Sequence, residues 1–177
     1  MFNLGNRLWH TDSSFRKIPS KFSILSCRSS PKVGGNTEFS FMPAVYEQID
    51  EDTQMEIADL VTEHSLIYSR GQLGFSDFNE EEKRMFKPVH HVMVRVNEFT
   101  QRKSIYLSSH IGKILGWEIP EGRDFIRELM EFATQRHFIY SHEWKPGDLV
   151  MWDNRQCMHR VRPFNCLLYT SDAADEY

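Results

Sequence analysis

His10 and Asp12 stand two residues apart in the stretch Leu8-Trp9-His10-Thr11-Asp12-Ser13-Ser14-Phe15. In an extended strand, positions i and i+2 project to the same face. An imidazole and a carboxylate at this spacing can therefore reach one metal ion. By spacing alone, a hydrogen-bonded core pair is the simpler account of the two residues. A redox-active iron that must also take a cosubstrate and oxygen needs two histidines and one carboxylate on one face of an octahedron, with the other positions open. The third ligand must then come from a neighbouring strand. His159, in "GDLVMWDNRQCMHRVRP", is the best candidate, because a Pro-Gly turn and an apolar strand before it form a rigid platform. Outside that context His159 reads as a structural histidine.

The elements that must position these groups are mostly strands. "KFSILSCR" reads as a strand, and "PKVGGNTEFSF" as a Pro/Gly turn feeding a second one. "HHVMVRV" and "KSIYLS" read as strands around a turn. "FIYSHEW" and "DLVMWD" read as strands around "KPG", and "NRQCMHRVRPF" continues the extended pattern. "TQMEIADLVTEH" has the Thr53/Glu56 spacing of a capping box, with Ile57, Leu60 and Val61 at helical intervals. "EGRDFIRELMEFATQ" is the clearest helix, with Phe125, Ile126, Leu129, Met130, Phe132 and Ala133 in one apolar stripe. "FSDFNEEEKRMFKP" reads as a surface connection. Strands with inserted helices suit a mainly β fold, a sandwich or jelly roll.

The composition agrees. The chain has 177 residues, 40% of them hydrophobic and 13% aromatic, enough for one domain with a real core. The net charge of −4, without a long basic run, argues against nucleic acid as the partner. No run of about 18 apolar residues is present to span a membrane, and no secretory signal is visible. Cys27, Cys157 and Cys166 are odd in number and widely spaced, which reads as free thiols in a reducing cytoplasm. No C-x-x-C pair is present for a thiolate zinc site. Cys27 and Cys157 read as buried thiols with no catalytic part. His90 and His91 alternate faces, so at most one looks inward. His64, His110, His137 and His142 read as surface or core residues.

"WHTDSSF", "GGNTEF" and "HEWKPGDLVMWDNRQCMHRVRP", in that order, resemble the TauD/TfdA family of iron(II)- and 2-oxoglutarate-dependent dioxygenases. The likeness is closer to the 2,4-dichlorophenoxyacetate dioxygenase-like members, including through "GRDFIRELMEFATQRHFIYSHEW". The resemblance covers nearly all of residues 3–165 and implies a double-stranded β-helix, a cupin-like jelly roll. It also implies His10, Asp12 and His159 as catalytic iron ligands, Thr37 with its hydroxyl on 2-oxoglutarate, and Trp152 lining the cosubstrate site. Asn6 matches a substrate-side asparagine. Thr37 and Trp152 have plainer readings, as a strand threonine and a core aromatic. The implied reaction hydroxylates a small anionic organic substrate and releases succinate and CO2, with Fe(II) as cofactor and 2-oxoglutarate and O2 as cosubstrates. A small-molecule substrate, no nucleic acid, no membrane, a cytoplasmic location and a homo-oligomer are the expected context, although no interface signal is visible.

The chain departs from the family pattern in two places. The far carboxylate of 2-oxoglutarate calls for a guanidinium fork shortly after the second histidine. The corresponding "CLLYTSDAADE" holds no Arg or Lys. Arg160 and Arg162 lie an odd number of positions from His159 and so face away from it in a regular strand. Asn97, in "VRVNEF", stands where the 2,4-dichlorophenoxyacetate enzymes carry a substrate-recognising histidine, and a neutral amide cannot supply a charged hydrogen bond. Residues 166–177 read as a translated sequencing-adapter tail, leaving a partial dioxygenase domain over 1–165, truncated at both ends. The alternatives are a non-catalytic jelly-roll module that binds a metal or small acid, and a zinc-dependent hydrolase.

Overall fold

Alternation of inward and outward side chains makes β2 (Thr37–Phe41) the hub of the fold, with Thr37, Phe39 and Ser40 buried. The computed structural model describes residues 2–164. On either side of β2 lie β8 (Ile139–His142) and β10 (Cys157–Val161), both antiparallel, with His159 opposite Phe39 and Thr37 opposite both His142 and Val161. Beside this sheet runs an antiparallel ribbon of β1 (Phe22–Ser26) and β9 (Leu149–Asp153). A further sheet takes β3 (Val61–His64) between β4 (Val89–Val92) and β7 (Ile111–Ile114). The last pair is β5 (Val94–Val96) with β6 (Lys103–Ile105). Antiparallel strands with helices inserted along the chain make a mainly β fold, as the pattern predicts, and its architecture is the jelly roll that the resemblance implies.

The core lies between the layers. Val45, Ile57, Met93, Ile105, Leu107, Ile114 and Met158 are fully or almost fully shielded from solvent. Helix α6 (Ile119–Ala133) lays Ile126, Leu129 and Ala133 onto this core, with Phe125, Met130 and Phe132 at its margin. The remaining helices are short: α1 (Phe2–Gly5), α2 (Met42–Gln48), α3 (Glu51–Ile57), α4 (Leu66–Gly71) and α5 (Glu80–Met85). No helix among the described residues is long and apolar enough to cross a membrane.

Several local expectations are corrected. The cap of α3 is Asp50, whose carboxylate accepts from Thr53 N, so the helix starts before Thr53. Val61, placed by periodicity on that helix, belongs to β3. The connection over 75–88 holds α5, opened by an Asn79/Glu82 capping box and without a buried residue. "HHVMVRV" is two strands, because the chain bends at buried Met93. There Met93 N donates to Leu60 O, and Met93 O accepts from Tyr106 N, so one residue serves both sheets. Asn154–Gln156 is a turn, not extended chain. Cys27 and Cys157 are half-buried free thiols, and burial with nearby Asp153 pushes the Cys157 thiol up to about 11. Residues 166–177, including Cys166, lie outside the described residues.

Candidate metal centre

His10 is held by a single antiparallel bridge, not by a strand. Its N donates to His159 O at 3.0 Å, and its O accepts from His159 N at 2.9 Å. Strand β10 therefore places the two imidazoles side by side, with ring centroids 4.3 Å apart. Asp12 sits two residues on, where the chain turns through Ser13 at φ 58°. Its Oδ1 lies 3.5 Å from His10 Nε2 and 3.6 Å from His159 Nε2. One ligand atom from each residue falls within 4.8 Å of the others. Two backbone hydrogen bonds close the separation of 149 positions between His10 and His159.

The protonation states suit metal ligation. His10 Nδ1 donates to Leu8 O at 2.7 Å, which leaves the Nε2 lone pair facing Asp12. Burial, with His10 nearby, pushes the His159 imidazole down to about 3, against the opposing pull of Asp12. Burial raises the Asp12 carboxyl, but the neighbouring His10 and His159 imidazoles and the Ser23 hydroxyl outweigh it and bring it to about 2. At neutral pH the Asp12 carboxylate is ionised and the His159 imidazole is neutral, the forms that ligate metals. His159 Nδ1 is buried without a hydrogen-bond partner. Two nitrogen donors and one oxygen donor on one side of a cleft fit a divalent transition metal.

The cleft has a volume of about 310 Å³ and brings Asn6, Thr37 and Trp152 to the triad, with Ile24 and Leu25 at its rim. Thr37 is buried, and its Oγ1 accepts from Trp144 Nε1 at 2.9 Å. An indole N–H only donates, so the Thr37 hydroxyl proton is free to point into the cleft. The Trp152 ring packs 4.7 Å from the His159 ring, and its Nε1 donates to Asn154 Oδ1 at 3.0 Å. It walls His159 and also holds a polar contact away from the cleft. Asn6 touches β10 through its backbone, its O accepting from Val161 N at 2.8 Å.

Asn97 is not brought to this site. It opens the β5–β6 turn, and its Oδ1 accepts from Phe99 N and Thr100 N at 2.9 and 3.0 Å. It lines a separate cavity with Arg95 and Arg155. Arg160 and Arg162 face away from the triad, as the parity of their positions predicts. Arg160 Nε donates to Glu38 at 2.7 Å, and its guanidinium lies 4.6 Å over Trp9. Arg162 pairs with the same carboxylate at 3.6 Å. No arginine or lysine lines the cleft among the described residues. Ser23, Trp144 and Asn154 touch the site without having been singled out in the sequence. No local pattern marks them, because each meets its partner only through the fold.

A jelly-roll fold with two histidines and a carboxylate converging on one cleft defines a class of metal-dependent oxygenase scaffolds. The family model described as "Taurine catabolism dioxygenase TauD, TfdA family" matches residues 2–172. The chain belongs to the TauD/TfdA family. It is 41% identical over 163 residues to the alpha-ketoglutarate-dependent 2,4-dichlorophenoxyacetate dioxygenase of Cupriavidus pinatubonensis, covering 92% of this chain and 57% of that one. It is 34% identical over 167 residues to the (S)-phenoxypropionate/alpha-ketoglutarate-dioxygenase of Sphingobium herbicidovorans, covering 91% and 58%. The crystal structure of AAD-2 in complex with Mn(II) and N-oxalylglycine superposes with a TM-score of 0.91 at 59% identity, covering 94% of this chain and 66% of that one. The chain thus spans a little over half the length of these two curated relatives.

Proposed function

We propose that the chain is the metal-binding part of an iron(II)- and 2-oxoglutarate-dependent dioxygenase that hydroxylates a small organic anion, releasing succinate and CO2. The observation that carries this reading is the convergence of His10 Nε2, His159 Nε2 and Asp12 Oδ1 at one end of an open cleft. His10, Asp12 and His159 would hold the iron on one face. Bound there with 2-oxoglutarate, iron(II) supplies oxygen activation coupled to decarboxylation of the cosubstrate. The protein's own work is binding and exclusion. The Thr37 hydroxyl donates to a cosubstrate carboxylate. Trp152, buried beside His159, would shield that ligand from water. Asn6 stands at the substrate side. The names of the two relatives are those of enzymes for aryloxy acids, which supports an anionic aromatic substrate. The far carboxylate of 2-oxoglutarate then takes its cation from outside residues 2–164. The domain proper is taken as residues 1–165.

The cation-free cleft favours one second reading, a module that binds metal or a small acid without turnover. Succinate formation separates the two. It is measured with iron(II), ascorbate, air, 2-oxoglutarate and a panel of aryloxy acids. The chain itself is tested beside a version carrying the C-terminal segment of the Cupriavidus relative after Phe164. The expected result is succinate from the extended chain and none from its His10→Ala variant. Metal binding with no succinate from either chain would leave the binding module as the reading.

A further inference from the structure

We propose that Ser23 and Asn154 are positioning residues of the metal centre, tying back one oxygen of Asp12 so that the other is the single carboxylate donor. The proposal rests on the metal-binding reading above and goes beyond the three ligands. Asp12 has two chemically equivalent oxygens, and the fold treats them differently. Oδ1 faces the two imidazoles at 3.5 and 3.6 Å. Oδ2 accepts the Ser23 hydroxyl at 2.5 Å. An ionised carboxylate can only accept, so the Ser23 proton is committed to Oδ2. The Ser23 oxygen is thereby left as an acceptor, and Asn154 Nδ2 donates to it at 2.8 Å.

The orientation of the Asn154 amide follows from its other partners. Its Oδ1 receives the Trp152 indole N–H at 3.0 Å and the Asp12 backbone N–H at 3.3 Å. Neither donor can accept, so a flipped amide would set donor against donor on two sides. The chain of bonds runs one way, from Trp152 through Asn154 and Ser23 to Asp12 Oδ2. Asn154 is 1% exposed, so its bonds have no competing water. Its backbone is pinned as well, N donating to Lys21 O at 2.9 Å where β1 meets β9.

The consequence is a coordination number. A carboxylate with both oxygens free can chelate a metal and occupy two positions. With Oδ2 held by Ser23, Asp12 binds through one oxygen, and three of six octahedral positions stay open. Outer partners of this kind alter metal affinity by roughly 10- to 100-fold when removed.

The test uses Mn(II) as the probe. Affinity is measured by calorimetry, and the number of exchangeable metal-bound waters by water-proton relaxation, for the parent chain, Ser23→Ala, Ser23→Thr and Asn154→Ala. The expected result is affinity weakened about tenfold or more in Ser23→Ala, with one bound water fewer than in the parent. Ser23→Thr, which keeps the hydroxyl, retains the parental affinity and water count. Ser23→Ala with parental affinity and water count would overturn the proposal even if Asn154→Ala failed to fold. A parent chain that binds no Mn(II), against a Ser23→Ala variant equally inert, would instead overturn the metal-binding reading and this proposal with it.

Discussion

The Thr37 hydroxyl shows how much of a site depends on one donor-only neighbour. Trp144 Nε1 fills one lone pair of Thr37 Oγ1 at 2.9 Å and leaves the hydroxyl proton free to reach the cleft. Trp144→Phe keeps the ring and deletes the donor. It is expected to weaken N-oxalylglycine binding to the Mn(II)-loaded chain by about 1 kcal/mol, the worth of one hydrogen bond, while Mn(II) affinity stays unchanged. Equal binding by parent and variant would show that the hydroxyl is not oriented this way. The triad itself was legible because His10 and Asp12 are near neighbours and His159 sits in a recognisable strand. Ser23, Asn154 and Trp144 were not, since their partners lie 11, 131 and 107 positions away in the chain. Asn97 misled because its side chain is used by its own turn, a competition that short polar residues enter often.

At the scale of elements, the long periodic helix and several short alternating strands read correctly, and the six-residue helices did not. Helix α6 spans 15 residues, so its apolar stripe repeats often enough to be unambiguous. Leu129, 5% exposed on that stripe, anchors α6 to the core. Leu129→Ala is expected to cost about 2–5 kcal/mol, seen as a lower urea midpoint. The Mn(II) stoichiometry should persist, because no residue of α6 lines the metal cleft. A loss of metal binding in a folded variant would mean that the helix shapes the site. The turns of chain in α4 and α5, by contrast, are six residues each and too short for periodicity to declare them. The break at Met93 was hidden because an unbroken apolar run does not say where a strand changes partner.

Across the whole molecule, buried imidazoles set the response to pH. Burial drives His64 well below its ordinary 6.5 and, with neighbouring charges, lowers His91 and brings His110 to about 3. The unfolded chain takes up these protons near pH 6.5, whereas the folded chain resists them until far lower pH. Unfolding therefore binds more protons between those limits, and the stability of the metal-free chain falls as pH drops from 6.5 towards 3. The Asp12 carboxyl, at about 2 when folded, acts in the same sense below 3.8. Thermal midpoints at pH 7 and pH 5 should differ, the lower pH giving the lower value. Equal midpoints would mean that the buried histidines titrate freely. The overall fold was legible because alternating strands joined by glycine and proline turns announce a sandwich or jelly roll, and the family resemblance selects the jelly roll, while the pairing of those strands depends on contacts that no local pattern records. The most direct measurement of the central claim is anaerobic calorimetric titration of the chain with iron(II), beside Asp12→Ala. The expected result is one site in the parent and none in the variant; identical binding by both would contradict a metal centre at His10, Asp12 and His159.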